Sequence, residues 1–298
     1  MSTNIDRICG LLVRLGVVQF TITGDHIRCQ CPIHGGDNPT SLAINYRNGL
    51  YFCHSNCSPE ERSGGLVKLI CLSMGCSSEE AAILLAGIEL DPSSISKPQK
   101  APIVPLSQQE IDNFEQKTTH CYGYRGYEPK TIEEFNIRKG VDYPYSDRVW
   151  VPLNDREGWT IGYKGRATSA DMGSKYIFLP RGVPKSQLLF NLHRIKESCW
   201  IVVCEGEFDC INLHRNGYPC VATMSSKASA TQLELLSGFD RVVVFYDNDE
   251  AGHAGADELE NQLKNIVGIV FPPPFKDAGD LTQEELYDII GRYVDGTG

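Results

Sequence analysis

RVVVFYDNDEAG, Arg241–Gly252, is the stretch that decides the fold. Five apolar residues, Val242 to Tyr246, read as a buried strand that runs straight into Asp247, Asn248, Asp249 and Glu250. A second stretch, IVVCEGEFDC at Ile201–Cys210, repeats the pattern, its apolar run ending in Glu205, Gly206 and Asp209. Around them strand and helix patterns alternate. Trp200 to Cys204, Tyr218 to Thr223, Arg241 to Tyr246 and Ile266 to Phe271 read as strands, and Phe208 to Asn216, Thr231 to Ser237 and Ala254 to Lys264 as helices. Such alternation predicts an α/β unit with a mostly parallel sheet and helices on its faces. In an open sheet of this kind, ligand chemistry gathers at the carboxyl ends of the strands. Neighbouring strands would set Glu205 and Asp209 facing Asp247 and Asp249. Carboxylates that close repel unless a cation compensates, and an all-oxygen donor set suits a hard divalent ion. Asp247 and Asp249 alternate on extended backbone and so point the same way. Gly206 lets the backbone come close to a metal or phosphate. The plainer alternative is helix capping, with Asp209 in a first turn for dipole reasons. Capping accounts for one acid per helix, not for a group at two strand ends.

The N-terminal third carries a different chemistry. In CQCPIHGGDNPTSLAINYRNGLYFCHSNC, Cys31 and His34 form a C-x2-H pair, and Cys53 and Cys57 a C-x3-C pair beyond a hairpin-like stretch. Two such pairs deliver four ligands to one tetrahedral Zn²⁺, which prefers thiolate and imidazole where Mg²⁺ and Ca²⁺ do not. The segment is too polar to bury much core, so this single zinc is structural. Cys29 and His54 remain open as substitutes: Cys29 alternates with Cys31 on a strand, and His54 sits inside the second pair.

The chain has 298 residues, 41% apolar and 22% charged, which is ordinary globular composition. There is no apolar run of membrane-spanning length and no secretory signal at the N-terminus, so the expectation is a soluble cytoplasmic protein with no membrane partner. Twelve cysteines without a secretion signal point to a metal site and buried thiols rather than disulfides. A net charge of −10 argues against a general nucleic-acid binder, unless bases line a groove of their own. They do cluster: Arg148, Lys164, Arg166, Lys175, Arg181, Lys185 and Arg194 interleave with Trp150, Trp159, Tyr163 and Tyr176, the mixture a single strand needs. A solvated hairpin face is the bland alternative.

Along the rest of the chain, Ile8 to Leu15 is amphipathic and Val17 to Ile22 strand-like. Leu66 to Met74, Ser78 to Leu85, Gln109 to Thr118 and Glu128 to Phe135 read as helices, and Arg148 to Leu153 and Trp159 to Arg166 as a hairpin. Residues 91–107 are proline-rich and aperiodic, a linker. The expected organisation is a zinc-binding domain at 1–90, the linker, and a catalytic domain at 108–298. The latter divides into a basic subdomain at 108–198, the parallel-sheet core at 199–283 and a tail at 284–298.

EGEFD followed by DND after successive strands resembles the TOPRIM domain of DnaG-type primases, topoisomerases and some nucleases, a Rossmann-like fold. The resemblance implies that Glu205 is a general acid or base and that Asp247 and Asp249 bind two or more Mg²⁺ or Mn²⁺ ions. It also implies that Asp209 is the companion acid, and that in FKDAGDL Asp277 is a further ligand and Asp280 a weaker one. The Cys/His segment resembles the zinc ribbon of DnaG-type and phage primases, apart from the C-x3-C spacing. YRGYEPKTIEEFNI, DRVWVPLNDREGWTIGYKGRA, SKYIFLPRG and LLFNLHR continue the likeness in primase order. What this implies is a DNA primase: a DNA-directed RNA polymerase of bacterial or phage-infected cytoplasm, making RNA primers from NTPs on single-stranded DNA. Its partners would be a replicative helicase and single-strand-binding protein. Arg166 and Lys175, with Arg148, Lys164 and Gly206, would contact template or nucleotide. The sequence ends at Gly298 without the helicase-binding domain of cellular primases, which suggests a phage, plasmid or mobile-element form, or a shortened one. The alternative is a TOPRIM-type nuclease, using the same acids to cut DNA or RNA.

Overall fold

The structure is a computed structural model that describes residues 4–58, 60–86, 103–142, 145–169, 174–274, 276 and 278–294. The chain packs as two compact units. The first comprises residues 1–119, 138–151 and 162–184, and the second residues 120–137, 152–161 and 185–298. The sequence-based basic subdomain at 108–198 is therefore shared between them, the division passing through two strands of one hairpin.

In the first unit, α1 (Asn4–Arg14) buries Ile8, Cys9, Leu11 and Leu12 along one face. A five-stranded antiparallel sheet follows in sequential order: β1 (Phe20–Thr23), β2 (His26–Cys29), β3 (Leu42–Asn45), β4 (Leu50–Cys53) and β5 (Ser63–Gly65). Alternation in β2 and β4 turns Ile27, Cys29, Tyr51 and Cys53 inward, against α2 (Leu66–Met74) and α3 (Ser78–Ala86). Leu12, Ile27, Leu42, Ile44, Leu69 and Ile70 are fully buried there, each worth about 1.5–3 kcal/mol of apolar transfer. Gly75 ends α2 in left-handed conformation, its N–H bonded to Cys71 O. Residues 87–102, most of the expected linker, lie outside the described residues.

α4 (Gln108–Gln116) starts at a capping box between Ser107 and Glu110 and stacks Phe114 on Tyr163. The second sheet is ordered β10-β9-β8-β7-β6 and consists of β6 (Thr118–His120), β7 (Arg138–Gly140), β8 (Arg148–Asn154), β9 (Thr160–Ala167) and β10 (Tyr176–Leu179). α5 (Pro129–Glu134) lies between β6 and β7 in sequence, with Pro at its first position.

The second unit holds the predicted parallel sheet: β11 (Trp200–Cys204), β12 (Cys220–Ala222), β13 (Arg241–Phe245) and β14 (Ile266–Val270), ordered β12-β11-β13-β14. Interleaved are α6 (Glu207–Arg215), α7 (Ala230–Leu236) and α8 (Glu250–Gln262). All three pairings are parallel, with Val202 opposite Val243 and Val244 opposite Ile269. Ile201, Val203, Val242 and Val244 are buried, as continuous apolar strands covered on both faces must be. The stretch from 284 that reads as a tail is instead most of α9 (Gln283–Val294). Leu286 and Ile290 are wholly buried, and Tyr293 lies against Gly268 of β14, where a Cβ would come within 2.3 Å of its ring. No single helix among the described residues is long and apolar enough to cross a membrane.

Candidate active site and metal centre

In the first unit, Cys31, His34, Cys53 and Cys57 are all buried, their ligand atoms within 4.8 Å of one another. Cys31 Sγ lies 3.6 Å from Cys57 Sγ, and Cys53 Sγ 3.4 Å from His34 Nε2. The chain turns at Gly35 and Gly36, both at positive φ, and the Gly35 N–H bonds back to Cys31 O. On the facing side His54 N bonds to Ser41 O, whose own Oγ accepts from Cys31 N, so one serine ties the two knuckles together. His34 Nδ1 donates to Gly35 O at 2.7 Å, which leaves Nε2 as the ligand atom. Burial opposes a charge on His34, yet hydrogen bonds to Cys31 and Cys53 push it up to about 10. Cys53 is held low by hydrogen bonds with Cys31 and Cys57, while Cys57 is pushed up by hydrogen bonds with Cys31 and Cys53. Thiols at this spacing contend for a proton where a dication would satisfy them all, so the donor set fits zinc. Cys29 sits in the core and His54 is exposed, its ring edge-on to Phe52. Neither joins the group.

In the second unit, β11 and β13 are neighbours, and both end in carboxylates. Glu205 Oε1 accepts the Asp247 backbone N–H at 3.4 Å. Burial, then the charge of Asp247, push the Glu205 carboxyl up to about 7; Asp249 adds to the rise. On either side Thr223 braces the strand ends, its N–H bonded to Cys204 O and its Oγ1 3.2 Å from the Tyr246 hydroxyl. Asp249 caps α8, with Oδ1 accepting from Gly252 N at 2.8 Å, which leaves Oδ2 for other work. Gly252 is forced: a Cβ there would lie 2.1 Å from Asp247 O and 2.9 Å from Glu205 Oε1. Among the described residues these oxygens do not close to the tight spacing of the Cys/His group. The set is all oxygen, mutually repelling, and one member is driven toward neutrality, which fits a hard divalent cation. Asp277 lies outside the described residues.

Several expectations change at this level. Asp209 is buried in the first turn of α6, and the carboxylate folds back so far that a Cβ on Gly206 would lie 2.3 Å from Asp209 Oδ2. Asp209 thus stands at the start of its own helix, with its carboxylate against Gly206. Asp280 pairs with Arg125 at 3.4 Å. Arg148 is buried and donates to Gly165 O at 3.5 Å, its charge disfavoured by that burial. Lys164 is also buried, 4.3 Å from the centroid of the Tyr176 ring. β8 and β9 are covered strands, and that draws both bases inside. Arg166 and Lys175 flank the same ring at 5.9 and 5.4 Å, and Lys175 is exposed.

Residues that sequence reasoning missed stand beside α6. Arg125, at φ 50, lies over the Phe208 ring, and a Cβ on Gly279 would come within 2.4 Å of Arg125 Nη1 and 3.1 Å of Asp209 Oδ1. Asn212, fully buried, donates to Ala278 O and Leu281 O, each at 2.9 Å, which fixes the turn after residue 277 against α6. Only the Gly-x-x-Gly setting of Arg125, Gly123 to Gly126, hinted at a tight turn there, and nothing in the sequence hinted at the second.

A family model described as Toprim-like matches residues 202–282. The DNA primase of Aquifex aeolicus is 28% identical over an alignment covering 100% of this chain and 70% of its own length. That of Legionella pneumophila is 32% identical over 155 residues, 47% of this chain and 27% of its own. The crystal structure of the Aquifex aeolicus primase zinc-binding and RNA polymerase domains shares the fold, with TM-score 0.53 and 24% identity, covering 100% of this chain and 86% of that one. Parallel-sheet geometry and sequence likeness agree on the class of this segment, which is Toprim-like. The order of segments from the Cys/His group onward is similar to that of the DnaG-type DNA primases.

Proposed function

We propose that this chain synthesises short RNA primers on single-stranded DNA, by in-line attack of a 3′-hydroxyl on the α-phosphate of an NTP, which forms the phosphodiester, breaks the α–β phosphoanhydride and releases pyrophosphate. The observation that carries this reading is the meeting of two acid-tipped neighbouring strands, Glu205 at the end of β11 with Oε1 accepting the backbone N–H of Asp247 at the end of β13, 3.4 Å away. A carboxylate so placed is suited to assist transfer of the hydroxyl proton or to hold a cation. Asp247, the free oxygen of Asp249 and Asp277 would hold two or more Mg²⁺ or Mn²⁺ ions with Glu205. Bound there, the cations supply charge stabilisation for the attacking and leaving oxygens. Cys31, His34, Cys53 and Cys57 hold one structural zinc. Arg166 and Lys175 about Tyr176 contact template or nucleotide phosphates, while Arg148 and Lys164 brace the strands that carry them. Residues 1–90 form the zinc-binding domain, 91–107 the linker and 108–298 the polymerase domain, with Toprim at 199–283. A replicative helicase and single-strand-binding protein are its partners, and the cytoplasm of a bacterium or phage-infected cell is its place.

The test is incubation of the zinc-loaded protein with single-stranded DNA, Mg²⁺ and labelled NTPs, read on a gel. Short RNA products that disappear in Glu205→Gln are expected. Shortened DNA with no RNA product would replace the reading with metal-dependent nuclease activity.

A further inference from the structure

The loop between β13 and α8 is held by more than its two aspartates. Asn248, between them, donates through Nδ2 to Pro272 O at 3.0 Å, just beyond β14. With the amide so oriented, Oδ1 faces His253 Nε2 at 2.8 Å and accepts its proton. The His253 ring stacks on Phe271, with centroids 4.0 Å apart and planes 29° apart. The backbone N–H of His253 bonds to Asp249 O at 3.0 Å. The middle residue of the loop is thus anchored twice, to the end of a neighbouring strand and to the first turn of α8. None of these three side chains offers a carboxylate, and no feature of the expected cation chemistry requires them.

Two peptide planes flank Asn248, and their orientation sets where the Asp247 and Asp249 side chains leave the backbone. We propose that Asn248 and His253, backed by Phe271, form a clamp that pre-organises this aspartate pair for its divalent cation. They are positioning residues, acting through the aspartates rather than on the reacting atoms. The proposal rests on the metal-dependent reading above and deepens it. An unclamped loop of exposed polar residues must be ordered when the ion arrives, so removing the clamp weakens cation binding. Asn248 and His253 share one hydrogen bond, and that makes their losses overlap rather than add.

The experiment is a Mn²⁺ titration followed by electron paramagnetic resonance, on the full chain with zinc retained and no substrate present. Asn248→Ala and His253→Ala should each weaken Mn²⁺ binding about three- to tenfold, on the scale of one lost hydrogen bond. The double variant should be no weaker than the poorer single one. His253→Gln, which still offers an N–H to Asn248, should recover most of the affinity, and Phe271→Leu should lose an intermediate amount. Melting temperatures should stay near wild type, since both clamp residues are exposed. In primer assays the same variants should need more Mg²⁺ for half-maximal rate and regain rate as Mg²⁺ is raised. Mn²⁺ affinities within about twofold of wild type in both alanine variants would overturn the clamp, as would losses that add in the double variant. Because the titration needs no turnover, a wild type that binds Mn²⁺ and makes no primer would count against primer synthesis alone.

Discussion

Glu205→Gln should make the protein more stable at alkaline pH while abolishing its activity. The Glu205 carboxyl rises from an ordinary 4.5 to about 7 in the folded state, first through burial and then through the charge of Asp247. At 1.36 kcal/mol per decade of proton affinity that interval is worth about 3.4 kcal/mol. Glu205 is half-exposed, and solvent screening reduces this to about 1–2 kcal/mol. The sign follows from the direction: the folded state holds this proton more tightly than the unfolded state. The associated stability is complete below 4.5 and is lost as pH rises through 7. Glutamine keeps the shape and the acceptor for the Asp247 N–H but never ionises. Scanning calorimetry without added Mg²⁺, zinc retained, should show the variant melting about 2–4 °C above wild type at pH 8 and by clearly less at pH 5.5. Mg²⁺ at pH 8 should raise the wild type more than the variant, since the cation relieves the same repulsion. An identical offset at both pH values, or a variant less stable at pH 8, would refute the electrostatic account of this strand end.

Other outcomes are equally specific. Gly252→Ala forces a Cβ to within 2.1 Å of Asp247 O and should cost about 1–3 kcal/mol of stability and at least a hundredfold in primer yield, checked by melting and gel assay. Cys57→Ser should lower bound zinc, measured by elemental analysis. A chelator should melt the first unit, because structural zinc contributes about 10–16 kcal/mol of apparent folding energy in small sites. Lys175→Ala should lower single-strand affinity and reduce the slope of log affinity against log salt by about 0.7, the value for one phosphate contact on a single strand. An unchanged slope would remove Lys175 from the template path.

The parts of the fold that could be read were those where one pattern dominates. β11 and β13 are apolar on both faces and end in acids, so the strands and the meeting of Glu205 with Asp247 were legible. The Cys/His pairs were legible because ligand spacing is local, whereas Cys29 stayed open until the structure placed it in the core. The four-residue strands β1 to β4 gave little periodicity, and α9 went unread because Leu286, Ile290 and Tyr293 mean little until β14 is there to receive them. Arg148 and Lys164 have the composition of a nucleic-acid face, but whether a base points outward depends on which side of the sheet is covered. Asp209 illustrates the same limit: its type and spacing match a ligand, and only the close approach of Gly206 shows the carboxylate turned back on its own helix.

α8 carries glycines at 252 and 255 where most helices would have alanine, and a Cβ at 255 would stand 2.0 Å from Ser226 O. Each glycine weakens the helix by about 1 kcal/mol in intrinsic propensity, so its amino-terminal half is held by lateral contact with two loops rather than by its own sequence. A helix held that way cannot fray independently of what it touches. Amide hydrogen exchange should therefore report a single opening event shared by the start of α8 and the loops at Ser226 and Asp247. The machinery at the strand ends would then come apart as a block, not residue by residue.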